Sequence, residues 1–311
     1  MEQKHTFGSA FKVLREKRGY SIKEACRNGA IMTPAALRRF EKEETSTSVD
    51  NLNRLLLAIG ADWEDLLTLY DGCTVMDLLS KQATEMNNIQ NTGHYHTLAD
   101  VIEQLEIDIP ENPKLSKLIG LATELAISSR KGNLVPINKE ETRFSLIFEH
   151  FEKVETWGVL EESLFYQCLR LFEPEFVHFH IHKFLDDFEA NPPKVKDNWA
   201  SRFIIANYTV GYLSRKKSFQ YADQLIARME NMFRDDKYIN FWDEKFFLAM
   251  FKASHLIRQN KIEGLELAKT IVNTLKLFGE VYYSPYAIKY MNNYVEVVHS
   301  LNKTGIPFDP Y

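Results

Sequence analysis

The sequence predicts an all-α protein in two parts, on three observations. Apolar residues recur at i, i+3, i+4 and i+7 over most of the chain, while alternating runs and hairpin dipeptides are scarce. Breakers separate the periodic stretches, at Asn91-Thr92-Gly93, Pro110 to Pro113, Gly132 to Pro136, Glu173-Pro174, Pro192-Pro193 and Ser284-Pro285. Charge is divided unevenly. From Met1 to Lys42 ten Lys and Arg face four Asp and Glu, so this stretch carries +6 of a chain with net charge −5, and the rest carries −11. The expected boundaries are a basic head over 1–70, a linker helix over 71–92 and a helical body over 93–311, with Gly93 to Pro136 the least regular segment.

The head parses element by element. Phe7, Ala10, Phe11 and Leu14 share one face of a helix from Phe7 to Arg18 that Gly19 stops. Ser21 caps Ile22 to Arg27, and Asn28-Gly29 supplies a turn. Thr33 as N-cap with Pro34 at the first helical position starts Ala35 to Glu43. Thr45 to Ser48 is a loop, Val49 to Ile59 an apolar helix closed by Gly60, and Asp62 caps a short helix through Tyr70.

Two short helices joined by a turn make a helix-turn-helix, whose second helix enters the DNA major groove. On that helix Leu37 and Phe40 are expected in the core, leaving Ala35, Arg38 and Arg39 outward. Arginine pairs bidentately with guanine or neutralises a phosphate, and Ala35 suits a thymine methyl. Thr33, at the helix start, suits a phosphate contact. Lys12, Lys17, Lys23 and Arg27 would add sequence-independent affinity for double-stranded DNA through counterion release. A basic head on an acidic body fits a chain that touches phosphate at one end only.

Leu14-Arg15, Gly19, Ser21, Thr33 and Arg39-Phe40-Glu41 together resemble the Cro/repressor-type helix-turn-helix family (the xenobiotic response element family). The resemblance implies an ion pair between Arg15 and Glu41 that stabilises the head. Two departures stand out. The turn before Thr33 is slightly long, and Pro34-Ala35 replaces the polar pair with which many members read bases. Readout is therefore expected to rest on the arginines or on DNA shape.

The body contains an internal echo. Phe203-Ile204-Ile205-Ala206-Asn207-Tyr208, with Leu213 and Arg215, recurs about 43 residues later as Phe246-Phe247-Leu248-Ala249-Met250-Phe251, with Leu256 and Arg258. Each copy precedes an amphipathic helix with a small core residue, Ala222 or Ala268. A helix pair repeating at that period predicts a right-handed, tetratricopeptide-like stack.

Phe151-Glu152-Lys153-Val154-Glu155-Thr156-Trp157-Gly158, followed by Glu161 and Leu164-Phe165, resembles the Trp-Gly-x-x-Glu-x-x-Leu-Phe block of the Rgg/GadR/MutR regulators. The order of parts and the total length agree with that family. The resemblance implies a peptide-responsive transcription factor whose body dimerises and cups a short signalling peptide on a concave face, with RNA polymerase as a further contact. An extended peptide needs its backbone amides satisfied, which Asn, Gln and Arg side chains do. The candidate contacts are Gln167, where the family often has asparagine, with Arg170, Asn198, Arg202, Asn207, Asn240 and Asn292. Trp157 and Phe165 are expected to be core aromatics.

Other classes are disfavoured. No run approaches 18 uncharged apolar residues and no apolar segment follows the first five, so neither a membrane span nor a signal peptide is expected, and the cytoplasm is the expected compartment. Cys26, Cys73 and Cys168 match no metal spacing and are expected to be incidental thiols. His178 and His182 share a helical face, with His180 between them, and are expected to be partly exposed structural histidines without metal. Asp186-Asp187 and Asp235-Asp236 read as helix-end solvation. No phosphate loop, nucleophile elbow or zinc-protease motif occurs, so no enzyme and no cofactor are expected. The alternative is a helical-repeat adaptor or phage-type lysogeny regulator with no peptide ligand.

Overall fold

The computed structural model describes residues 5–72, 112–130, 142–192, 199–281 and 285–308, with 75, 77–79 and 84 besides. The chain divides into two compact units, Met1–Leu78 and Leu79–Tyr311. Most of the expected linker helix over 71–92 lies outside the described residues, as does Cys73. Among the described residues there is no strand, and no helix is long and apolar enough to cross a membrane.

The first unit contains α1 (Phe7–Lys17), α2 (Ile22–Ala25), α3 (Pro34–Glu41), α4 (Val49–Ala58) and α5 (Trp63–Leu67). Their apolar stripes close over a core of Phe11, Leu14, Leu37, Phe40, Leu52, Leu55, Leu56, Ile59 and Leu66. Helix α1 packs on α3 and α5, and α2 on α3 and α4. Gly8 sets the first contact: a Cβ there would collide with the carbonyl oxygen of Phe40, so only glycine lets the two backbones approach. Gly19, at φ +78, ends α1 as expected, with the Tyr20 amide donating to the Arg15 carbonyl at 3.1 Å.

Helix α2 is shorter than the sequence suggests, ending at Ala25 rather than Arg27. The cause is the turn. Arg27, Asn28 and Gly29 all take positive φ (49, 55 and 98), and the Cys26 carbonyl accepts from Gly29 and Ile31. Three successive left-handed residues reverse the chain where an α-helix cannot continue.

The second unit contains α6 (Pro113–Arg130), α7 (Ser145–Lys153), α8 (Val159–Cys168), α9 (Pro174–Ala190), α10 (Trp199–Arg215), α11 (Phe219–Met232), α12 (Trp242–Arg258), α13 (Ile262–Val281) and α14 (Pro285–Leu301). Helices α6, α8, α10, α12 and α14 pack in series, each on the next; α9, α11 and α13 pack behind them. Alternate helices of the chain thus form one layer, which is the order of stacked helix pairs. Ala222 on α11 and Ala268 on α13 are both fully buried, small enough to seat each second helix on its partner.

The segment that looked least regular in sequence contains α6. Leu118, Ile119, Leu121, Ala122 and Leu125 are buried, and so are Ser116 and Thr123. A helix covered on several faces shows no single stripe, which is why its periodicity is weak.

Candidate functional site

In the head, the buried and outward faces of α3 separate sharply. Leu37 and Phe40 are buried, and Ala35, Arg38 and Arg39 are exposed. Thr33 caps the helix, its hydroxyl accepting from the Ala36 amide at 3.2 Å, and remains exposed. Lys12, Lys23 and Arg27 are exposed as well. Arg38 and Arg39 have no ion-pair partner among the described residues, so both guanidinium groups are free for a phosphate or a base edge.

Arg15 and Glu41 lie beneath this face. Arg15 Nε is 2.6 Å from Glu41 Oε1 and Nη2 is 2.9 Å from Oε2, a bidentate pair between buried side chains. Arg15 Nη1 also donates to the Tyr20 carbonyl at 2.7 Å. The hydrogen bond to Glu41 raises the Arg15 pKa despite the opposing effect of burial. The pair fixes the end of α1 to the last turn of α3, the helix that carries Arg38 and Arg39.

In the body, the Trp157 block builds a corner. Trp157 is buried, with ring centroids 4.8 Å from Phe165, 4.9 Å from Phe184 and 5.2 Å from Phe151. Gly158 opens α8, and Glu161 Oε2 accepts its amide at 2.9 Å while Oε1 contacts His150 of α7 at 3.0 Å. Burial works to raise the Glu161 pKa, but these hydrogen bonds prevail and hold it below the ordinary carboxylate value. Each marked position of the block thus caps α8, ties α7 to it, or fills the core.

The expected peptide-contacting residues fall into different environments. Arg170, Asn240 and Asn292 are exposed, and Asn198 lies outside the described residues. Gln167 is half-buried and donates to Ser163 Oγ at 2.9 Å. Arg202 faces inward: its Nε is 2.9 Å from Glu162 Oε1, and its guanidinium lies over the Phe184 and Phe188 rings at 5.5 and 5.4 Å. Asn207 is buried, its amide donating to the Glu244 carbonyl at 3.0 Å, so it joins α10 to α12. Helical phase separates Asn207 from its exposed neighbours Ile204 and Tyr208, and composition cannot reveal phase.

His178 and His182 are partly exposed as expected, while His180 between them is buried. His180 is buried against Phe176, with ring centroids 4.1 Å apart, and burial lowers its pKa to about 4. His178 and His182 are half-buried, their rings 4.5 Å apart, and Tyr221 stacks on His178. No group of three or more metal-ligating side chains occurs among the described residues. Cys26 and Cys168 are buried free thiols, and burial raises the pKa of each.

One constellation escaped the sequence. Ser214 Oγ is 2.6 Å from His255 Nδ1, and His255 Nε2 is 2.8 Å from Asp223 Oδ1. The order matches a serine-histidine-aspartate relay, yet His255 and Ser214 are both buried. An enclosed hydroxyl meets no substrate, so the network fastens α10, α11 and α12 together. Its members lie on three helices at unrelated spacings, so no local motif could signal it.

A helix-turn-helix head and a body of stacked helix pairs define a helix-turn-helix regulator with a helical-repeat domain. Residues 77–292, more than half of the chain, match the C-terminal domain of the HTH-type transcriptional regulator Rgg, and the chain belongs to that family. Comparison with curated protein sequences gives no match. Among solved structures, the fold is similar to the SHP pheromone receptor Rgg2 of Streptococcus dysgalactiae, with a TM-score of 0.67 at 16% identity over 92% of this chain and 99% of that one. A transcriptional regulator from Listeria monocytogenes EGD-e superposes with a TM-score of 0.72 at 16% identity, over 96% and 99% of the two chains. PrgX in its complex with cCF10 does so with a TM-score of 0.66 at 16% identity, over 98% and 94%.

Proposed function

We propose that this transcriptional regulator binds operator DNA as a homodimer through α3, and that its helical-repeat body takes a short peptide that controls transcription in the cytoplasm. The observation that carries the DNA part is the outward face of α3, where Ala35, Arg38 and Arg39 stand free above a helix held by the buried Arg15–Glu41 pair. Thr33 and the N-terminus of α3 would seat a phosphate, and Lys12, Lys17, Lys23 and Arg27 would add nonspecific attraction. With no polar pair at Pro34-Ala35, sequence choice falls to Arg38, Arg39 and groove shape.

Family membership and the folds of a pheromone receptor and a regulator solved in complex with cCF10 support the peptide part. A bound peptide changes DNA affinity or a polymerase contact only by its differential affinity for two arrangements of the dimer. Arg170, Gln167, Asn240 and Asn292 remain the contacts we favour from the sequence-derived set, because their side chains are not enclosed between helices as that of Asn207 is.

Selection of genomic fragments by the full-length protein, with and without culture supernatant, tests both parts. Enrichment of an inverted repeat, altered by supernatant, is expected. Failure to enrich any fragment would remove the DNA part. Operator binding and thermal stability that ignore both supernatant and hydrophobic peptides would remove the peptide part and leave the adaptor alternative.

A further inference from the structure

The first described residues of the head are fastened to its last ones. The Asp71 amide donates to the His5 carbonyl at 2.9 Å, and the Asp71 carboxylate accepts from the His5 amide at 2.6 Å. Beside this pair the Phe7 and Tyr70 rings lie face to face, with centroids 4.0 Å apart and an interplanar angle of 2°. Gly72 completes the arrangement. A Cβ there would collide with the Tyr70 ring, so the glycine leaves that ring room to lie flat on Phe7. Stacked rings and paired hydrogen bonds thus clasp the point where the chain leaves the head to the start of α1.

The start of α1 is in turn held to α3. Gly8 packs against the Phe40 carbonyl, and the Ser9 and Thr6 hydroxyls hold the Glu43 carboxyl, just past α3, below the ordinary carboxylate range. The Arg15–Glu41 pair joins the same two helices farther along α1. Helices α1 and α3 therefore form one block, and the clasp attaches the exit of the head to that block directly, not only through α4 and α5. The core does not need this attachment. Tyr70, Asp71 and Gly72 lie outside the apolar cluster around Phe11, Leu37 and Leu55, whose partly buried fringe ends at Leu69.

A dimer reads two half-sites. Each base pair added between them moves one half-site by about 3.4 Å along the duplex and by about 35° around it. A head that swivels at its exit follows such a shift, whereas a head whose exit is fixed to its recognition helix does not.

We propose, resting on the DNA reading above, that the His5–Asp71 and Phe7–Tyr70 clasp selects operators by the spacing of their half-sites. It fixes the direction in which the chain leaves the head relative to α3. The bases are read by α3 itself. His5, Phe7, Tyr70, Asp71 and Gly72 are positioning residues that admit one spacer length and reject its neighbours.

The test selects bound duplexes from a random DNA library with the full-length protein. The enriched inverted repeat is then remade with its half-sites one, two or three base pairs nearer or farther. Affinity is measured for the wild type, for Tyr70→Ser combined with Asp71→Ala, for Gly72→Ala and for Tyr70→Phe. The wild type should bind the shifted duplexes tenfold or more weakly than the selected one. In the double variant this penalty should fall below threefold, with the preferred half-site sequence unchanged. Gly72→Ala removes no contact but displaces the Tyr70 ring, so it should act in the same way; it decides the outcome should the double variant not fold. Tyr70→Phe keeps the stack and should keep the wild-type penalty. A penalty that persists in the clasp variants, or a wild type that accepts every spacing, overturns the inference while the DNA reading stands. Loss of half-site preference in a folded variant would mean that the clasp supports α3 itself, and overturns it too. Enrichment of no inverted repeat by the wild type overturns the DNA reading and the inference together.

Discussion

Removing one partner of the Arg15–Glu41 pair should loosen the whole head, and the structure gives the size of the effect. Both side chains are almost out of water, 6% and 3% exposed, and they share two contacts of 2.6 and 2.9 Å. Glu41→Leu leaves Arg15 charged and enclosed, with only the Tyr20 carbonyl and the half-exposed Glu16 carboxylate near it. Stranding a buried charge costs about 3–5 kcal/mol. That is a large share of the stability of any small domain, which totals roughly 5–15 kcal/mol. Arg15→Met with Glu41→Leu removes both charges and fills similar volume, so the double variant should be more stable than the sum of the single effects implies. Hydrogen exchange of the full-length protein, read on peptides from α1 and α3, separates the head from the body. At about 1.4 kcal/mol per decade, exchange in these helices should accelerate by roughly two to four powers of ten in Glu41→Leu, and by much less in the double variant. A single substitution costing under about 1 kcal/mol, or strictly additive single effects, would refute the claim that the pair acts as a unit.

Three further outcomes follow from other sites. Arg39→Ala should weaken operator binding by about 1–3 kcal/mol if the residue reads a base, whereas an equal loss on random DNA in the same titration would demote it to a phosphate contact. Trp157→Ala should destabilise the body by about 3–5 kcal/mol in urea denaturation, while Trp242→Ala, at a residue 74% exposed, should stay within about 0.5 kcal/mol; similar effects at both would contradict the placement of Trp157 at the centre of the aromatic cluster. His180 is held neutral, its pKa depressed from 6.5 to about 4, so its contribution is complete above pH 6.5 and is lost as pH falls toward 4. The full loss is at most about 3 kcal/mol, and His180→Phe should shrink the stability gap between pH 7.5 and pH 5 by about 2 kcal/mol. An unchanged gap would assign the acid sensitivity elsewhere.

The head was legible in the sequence because its information is local. Caps at Ser21, Thr33 and Asp62, stops at Gly19 and Gly60, and apolar spacing within each short helix all act over a few residues. Even there the end of α2 escaped, since the left-handed conformation of Arg27, unlike that of Asn28, is not a preference of the residue but a demand of the turn. In the body the repeat was legible because two helix pairs copy one pattern, and Trp157 because it sits in a dense block. Helix α6 was harder, being covered on several sides. The inward facing of Arg202 and Asn207 was not legible at all, because rotation about a helix axis is set by what the helix packs on.

The sequence by itself therefore determined the helices, the division into a basic head and a repeat body, and the outward arginines of α3. These follow from periodicity, capping and charge, which need no knowledge of neighbours far along the chain. Tertiary structure alone decided which polar residues are enclosed and which are available. It joined Ser214, Asp223 and His255 across three helices, and it set the Tyr166, Tyr208 and Phe251 rings of three helices in one row. Both outcomes have one physical cause: burial and cross-helix contact are properties of packed surfaces, and helices distant in sequence create them only when they meet.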